Sequence, residues 1–135
     1  MDKTVKTFDV QSIELHTDFK KALAYIADPK NLPHWTSAFK EADEKTALLV
    51  TPNGELKIGL STVSNESGTI DWHMKMPDGT LGKAFSRLTE LPDGNVVYCF
   101  VLLAPPIPVE QLEGTLNEQK KLLANELNNL KRILE

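Results

Sequence analysis

The sequence has few of the features that cysteine sites, nucleic-acid-binding surfaces and membrane spans require. It has one cysteine among 135 residues, so neither an internal disulfide nor a cysteine metal cluster can form within it. Basic residues occur in no cluster longer than a pair, and the net charge is −4. Because non-specific binding to a phosphate backbone needs clustered Lys and Arg, nucleic acid is not an expected partner. The longest apolar stretch, Val96 to Ala104, is about half as long as a membrane helix, so no membrane span is expected.

Motifs for common catalytic centres are also missing. No serine lies in a Gly-x-Ser-x-Gly context, and no glycine-rich phosphate loop occurs. The three histidines, His16, His34 and His73, are not spaced from other metal ligands as a site requires. We therefore expect surface histidines, no metal and no cofactor. Cys99 lies among apolar neighbours and is predicted to be a buried structural thiol.

Composition is that of an ordinary globular chain, with 41% hydrophobic and 25% charged residues. The length predicts a single domain spanning residues 1–135. The first residues include charged side chains with no apolar segment after them, so the sequence does not predict a secretory signal. A cytoplasmic protein is the resulting expectation.

The last segment, Pro108 to Glu135, is predicted to form one amphipathic helix about 40 Å long. Proline suits its first position, where a backbone N–H would have no helical partner. Gln119 falls inside the apolar stripe. The stripe consists of residues spaced mainly by three and four: Val109, Leu112, Leu116, Leu123, Leu127, Leu130 and Leu134. A stripe of that length needs a whole sheet to cover it.

Strands and turns make up most of the chain before this helix. Val5 to Leu15 predicts a first strand, and the change of apolar parity near Gln11 suggests a bulge or a strand that bends between two environments. Thr17 or Asp18 then opens a short helix that ends at Pro29, and a second short helix or turn follows to Trp35. About six further strands are separated by turn signals such as Asn53–Gly54 and Asp78–Gly79.

This order predicts an α+β fold in which the sheet curls around the helix. About seven antiparallel strands would curve around the long C-terminal helix, with two short helices after the first strand. A strongly bent sheet cannot touch a straight helix along its whole length. The space left between them is the expected place for a ligand.

One local segment resembles a known family. Residues 13–35, IELHTDFKKALAYIADPKNLPHW, combine a strand, a short capped helix, an Asp-Pro break and a Leu-Pro-x-Trp ending. The segment and the element order together resemble the helix-grip fold of the START-like (SRPBCC) superfamily, which includes polyketide cyclase/dehydrase and lipid-transport proteins. The resemblance implies a hydrophobic cavity between sheet and helix. It carries no catalytic residue with it, since the family includes binders, carriers and enzymes.

Aromatic and methionine side chains recur on the predicted strands, where they suit either an ordinary core or the wall of an apolar pocket. Trp35, after the second short helix, is predicted to lie at the mouth of such a pocket. The remaining predicted ligand-binding residues come from the strands and the long helix: Ile58, Trp72, Met74, Phe85, Arg87, Tyr98, Phe100, Leu112, Leu116 and Gln119.

The strand from Leu81 to Leu91 allows two orientations. If Phe85 points inward, Arg87 points inward with it, and a buried guanidinium would bind a ligand carboxylate. Alternatively, the small face containing Gly82, Ala84 and Ser86 points inward, and the charged side chains meet water. The sequence leaves both orientations open.

Three functional hypotheses follow. The first is a protein that binds a small hydrophobic or amphipathic molecule such as a lipid, polyketide or aromatic metabolite. The second is a cyclase/dehydrase-type enzyme that uses Arg87, Tyr98, Gln119 or His73 to move protons. The third is a homodimer formed through the strand Asn95–Leu103, which is apolar on both faces.

Overall fold

The computed structural model describes residues 7–51, 54–103 and 109–135, with the backbone alone for residues 51 and 109–116. Its elements follow the predicted order and confirm the α+β helix-grip fold. They are β1 (Phe8–Leu15), α1 (Phe19–Ile26), a 3-10 turn (Pro29–Asn31), α2 (Leu32–Trp35), β2 (Phe39–Ala42), β3 (Thr46–Thr51), β4 (Gly54–Ser64), β5 (Thr69–Lys75), β6 (Leu81–Glu90), β7 (Val96–Leu103) and α3 (Val109–Leu134).

Seven strands form one curved antiparallel sheet in the order β1-β7-β6-β5-β4-β3-β2. Hairpin neighbours make up most of this order, because tight turns return each strand beside the one before it. The exception is β1, which pairs with β7 from the other end of the chain. The sheet therefore takes its final form only when residues about ninety positions apart meet.

The predicted bulge near Gln11 is wrong. The β1–β7 register runs without a break from Phe8↔Leu103 to Leu15↔Val96. The apolar parity changes instead because Phe8 and Val10 lie on the outer face, where 48% and 55% of their surface is exposed. A register shift does occur in β2, between Phe39 and Glu41.

Side-chain caps fix the short helices after β1. The carboxylate of Asp18 accepts the backbone N–H of Lys21 at 2.8 Å, so the first turn of α1 has a partner for one of its free donors. Asp28 caps the 3-10 turn in the same way, accepting the N–H of Lys30 at 3.0 Å. The helix α1 ends at Ile26, slightly before the predicted end at Asp28, and Pro29 takes the first position of the 3-10 turn that leads into α2.

The C-terminal half of α3 closes the core. Leu123, Leu127, Leu130 and Leu134 are all at most 4% exposed and belong to the same hydrophobic core as the sheet residues. This confirms the apolar stripe over that half of the helix. The side chains of Leu112 and Leu116, and the whole of Pro108 and Asn53, lie outside the described residues. Within the described part of the chain, no helix has the length and apolarity needed to cross a membrane.

The sheet has an inner face toward α3 and an outer face toward solvent. On β6 the inner residues are Gly82, Ala84, Ser86 and Leu88, of which the last two are buried. Lys83 and Arg87 are exposed on the outer face. The small-residue alternative is therefore the observed one, because strand alternation sends the charged side chains to water.

Candidate ligand-binding site

Four aromatic rings meet between the inner face of the sheet and the short helix α2. We call Trp35, Trp72, Tyr98 and Phe100 the aromatic cluster. The Trp35 ring lies 6.4 Å from Trp72 and 6.3 Å from Tyr98, measured between ring centroids. Phe100 stacks on Trp72 at 6.1 Å and meets Tyr98 edge-on at 6.4 Å. These separations suit tilted and edge-to-face aromatic contacts, so the rings support one another.

The sheet register brings three of these rings together. Trp72 lies opposite Ala84 on β6, and its small neighbour leaves room for the indole. Tyr98 and Phe100 lie two residues apart on β7, so they share the inner face. Trp35 comes from α2 and is only 2% exposed, which makes it part of the core and corrects its predicted position at a pocket mouth.

Several buried polar atoms on these walls have no hydrogen-bond partner among the described residues. Three of them belong to the aromatic cluster: Nε1 of Trp35, Nε1 of Trp72 and the hydroxyl of Tyr98. The hydroxyl of Thr62 is a fourth, and Thr62 lies directly opposite Trp72 in the β4–β5 ladder. Oε1 of Gln119 on α3 is a fifth. The inner walls thus combine apolar surface with unpaired polar groups.

Burial strongly raises the pKa of Tyr98, which is fully buried, so its phenol stays protonated at neutral pH. The hydroxyl of Ser86 lies near enough to oppose part of this effect on the pKa. However, Ser86 donates its own proton to the carbonyl of Ile70 at 2.6 Å. No hydrogen bond of ordinary geometry joins the two hydroxyls, and the Tyr98 hydroxyl remains available as a donor.

Small and flexible side chains lie beside the cluster. The methyl ends of Met74 and Met76 each lie 3.5 Å from where a Cβ on Gly82 would be. Both methionines are only partly buried. Because an unbranched thioether changes shape at little cost, these side chains can rearrange around a guest molecule more easily than a branched aliphatic could.

A cluster of polar side chains joins the inner face to α3 next to Gln119 in the chain. Nε2 of Gln11 donates to the carboxylate of Asp9 and to the backbone carbonyl of Lys120, both at 2.9 Å. Nζ of Lys120 lies 3.9 Å from the same carboxylate. These contacts link β1 to the middle of α3 and give the Lys120 charge a partner.

The structure therefore brings together most of the residues predicted from the strands. Ile58 and Met74 lie on the inner face with the aromatic cluster, and Gln119 turns a buried oxygen inward. Phe85 and Arg87 do not join them, because they lie on the outer face, opposite Val101 and Cys99. The carboxylate of a ligand bound between sheet and helix would therefore make no contact with Arg87.

Other predicted residues are placed elsewhere. His73 is on the outer face with Asp71 and Lys75, and Cys99 is half-buried on that face, which corrects its predicted full burial. The described residues contain no cluster of three metal-ligating side chains. Thr62 was missed, although it continues the inner parity of Ile58 and Leu60 and could have been identified from that pattern.

Two surface hollows are lined by described residues away from the aromatic cluster. One lies beside β2 and β3, and the other beside the last turns of α3. Both are open and mainly polar, and neither includes a ring of the cluster. They do not offer the apolar, enclosed lining typical of a small-molecule site.

No protein-family profile matches this chain, and neither does any curated protein sequence. Solved structures do match. A START superfamily protein from Mycobacterium smegmatis has a TM-score of 0.73 at 12% identity, over 96% of this chain and 100% of that one. XoxI from Bacillus cereus has a TM-score of 0.69 at 11% identity, over 96% of each chain. The chain has a START-like helix-grip fold.

A further match is DR_A0006 from Deinococcus radiodurans, with a TM-score of 0.68 at 15% identity over 93% of this chain and 95% of that one. These likenesses confirm the fold that the resemblance implies. At such low identity the likeness concerns the fold. The ligand and the chemistry must be argued from this chain's own residues.

Proposed function

We propose that this START-like protein binds a small hydrophobic or amphipathic molecule between the inner face of its sheet and α3. The observation that carries the proposal is the grouping of unpaired polar atoms on the aromatic cluster and on Thr62 beside it. A buried polar group without a partner costs about 1–3 kcal/mol. Folded proteins therefore pair nearly all such groups. A bound molecule would supply the missing partners.

The surroundings suit such a guest. Aromatic rings offer large rigid surfaces for apolar contact, and the partly buried methionines Met74 and Met76 allow the lining to adjust. Gln119 and the predicted wall residues Leu112 and Leu116 would face the guest from α3. This role for the helix stays a prediction.

The test uses the two tryptophans, which are the only ones in the chain and both belong to the aromatic cluster. Purified protein is unfolded and refolded to remove co-purified molecules. It is then titrated with a broad library of lipids, polyketides and aromatic metabolites. We expect some members to change the tryptophan emission and to appear as a complex in native mass spectrometry. Failure of the whole library in both measurements would contradict the proposal.

Neighbouring positions on β6 provide a matched pair of variants. Ala84→Leu adds volume on the inner face opposite Trp72, and should weaken binding of any library member at least tenfold by occupying its space. Lys83→Leu introduces the same leucine side chain on the exposed outer face and should leave binding unchanged. Equal binding by both variants would place the ligand away from the inner face.

The enzyme hypothesis gains no support from these positions. Of the residues suggested for a cyclase/dehydrase reaction, His73 and Arg87 lie on the outer face, away from the proposed ligand. Tyr98 is held protonated by burial, which makes it a hydrogen-bond donor and a poor base. Binding is thus the function we propose. The homodimer stays a prediction.

A further inference from the structure

We infer that the molecule bound by the aromatic cluster is uncharged and carries at least one hydrogen-bond-accepting oxygen, as a ketone, ester or ether does. This inference rests on the proposed function and narrows it to a chemical class. It depends on two properties of the inner face: which kinds of hydrogen bond are missing, and which charges are absent.

Most of the unpaired polar groups are hydrogen-bond donors. An indole Nε1 can donate but cannot accept, so Trp35 and Trp72 each need an acceptor. The hydroxyls of Tyr98 and Thr62 can donate as well. An aliphatic or aromatic hydrocarbon would leave all four groups unpaired, and an ammonium group offers only further donors. A carbonyl oxygen has two lone pairs and can satisfy two of these groups at once.

Among the described residues, the inner face lacks the positive charges that an anion would need. None of the described inner-face residues of β1 to β7 is a Lys, Arg or His. Arg87 and Lys83 face outward, and Lys120 on α3 already lies against the carboxylate of Asp9. Residues 104–116, which precede and begin α3, contain no basic residue in the sequence. A carboxylate buried here would lose its hydration with no cation to compensate.

The test compares three ligands that differ in one group: 2-acetylnaphthalene, 2-isopropylnaphthalene and 2-naphthoate. Affinities are measured by calorimetry with the refolded wild-type protein. We expect the ketone to bind roughly fivefold more tightly than the hydrocarbon, which corresponds to one net hydrogen bond. The naphthoate anion should bind most weakly of the three.

The variant Tyr98→Phe removes only the hydroxyl. Because that hydroxyl has no partner among the described residues, we expect the unfolding temperature of the free variant to rise by about 3 °C. The same variant should lose roughly fivefold in affinity for the ketone and nothing for the hydrocarbon. Tyr25→Phe, on α1 outside the cluster, is the control and should leave both affinities unchanged.

Each contrary result has a distinct meaning. Equal affinity for ketone and hydrocarbon, or tightest binding of naphthoate, overturns the inference while the proposed function stands. A lower unfolding temperature for Tyr98→Phe, with unchanged ketone affinity, shows that the hydroxyl is already paired and also overturns it. If none of the three ligands binds, the inference fails, and the proposed function fails with it only if the broad library fails too.

Discussion

At the scale of single residues, the polar groups of the described chain are paired in some places and unpaired in others. Ser86 donates to the carbonyl of Ile70 at 2.6 Å, and the hydroxyl of Thr36 donates to the carbonyl of Leu32 at 2.8 Å. Both bonds stabilise backbone that forms the walls of the aromatic cluster. The indole N–H groups of Trp35 and Trp72 have no such partner among the described residues. The contrast supports a functional origin for the unpaired groups, since residues at functional sites are often less than optimal for stability.

Gly68 is a residue whose lack of a side chain the fold requires. It has a positive φ of 107°, and a Cβ there would overlap the carbonyl oxygen of Leu88 and lie 3.1 Å from its carbonyl carbon. The close approach allows the backbone N–H of Leu88 to donate to Gly68 at 2.8 Å. Gly68 thereby joins the turn before β5 to the end of β6.

We predict that Gly68→Ala destabilises the protein by more than backbone strain alone explains. Gly79 has a similar φ of 90° with no atom within 4 Å of an added Cβ, so Gly79→Ala reports the strain, about 1–2 kcal/mol. Gly68→Ala should cost a further 1–3 kcal/mol or so because of the overlap. Urea unfolding measures both. Equal losses of unfolding free energy would show that the contact with Leu88 relaxes without cost.

At the scale of elements, α3 is held by apolar packing and by polar contacts to two separate parts of the chain. Its leucines from Leu123 onward pack in the core, and Gln11 on β1 donates to the carbonyl of Lys120. On the other side, the carboxylate of Glu126 accepts the backbone N–H of Ser37 at 2.7 Å. Ser37 lies just after α2, so this bond fixes the segment that carries Trp35 against the helix.

The contribution of Glu126 to the unfolding free energy is predicted to depend on pH. Burial raises the pKa of Glu126, and this effect outweighs the hydrogen bonds from Ser37, which lower the pKa. Between the ordinary glutamate pKa and the raised value, the folded protein holds a proton that the unfolded chain has released. The contribution of Glu126 to the unfolding free energy therefore falls as the pH rises through this interval.

Glu126→Gln removes this ionisation and keeps an oxygen that can accept from Ser37. We expect the unfolding free energy of the wild type, relative to the variant, to decrease as the pH rises from the ordinary glutamate pKa through the raised pKa of Glu126. The exposed carboxylates with lowered pKa values, among them Asp43 and Asp78, act in the opposite direction but are present in both proteins and cancel. Glu118→Gln, at an exposed position of α3, controls for the loss of one charge. A constant difference across this pH range would contradict the prediction.

At the scale of the whole molecule, the sequence predicted the architecture well because hydrophobic period and turn residues are local signals. The leucine spacing of α3 and the Asp-Pro break after α1 each identify an element by themselves. The faces of β6 are less certain from sequence, since both parities carry apolar or small residues and only pairing with β5 and β7 decides between them. For that reason the sequence predicts Arg87 and Phe85 as site residues, whereas both lie on the outer face.

Long-range contacts explain the remaining differences. Val10 and Phe8 are apolar yet exposed, and the unbroken pairing of β1 with β7 is what assigns them to the outer face. Trp35 lies deep in the core because α2 packs against β2 and α3, which no local pattern around residues 29–35 could indicate. Unpaired polar atoms likewise become visible only when the inner walls come together.

Residues from the sheet and from all three helices contribute to one hydrophobic core. Leu15 of β1, Ile26 of α1, Tyr98 of β7 and Leu130 of α3 belong to one buried cluster and are each fully buried. No subset of these elements keeps that cluster intact, so the sheet, α3 and the aromatic cluster should unfold together.

Two probes of urea unfolding test this. Far-UV circular dichroism follows the sheet and α3, and tryptophan fluorescence follows the aromatic cluster through Trp35 and Trp72. We expect the two transitions to coincide, as in a single cooperative domain spanning residues 1–135. The result should hold in Lys83→Leu, whose outer-face substitution does not touch the core. An earlier fluorescence transition with retained dichroism would mean that α2 and its tryptophan open independently. Ligand entry would then require only local unfolding at this wall, without opening of the sheet from α3.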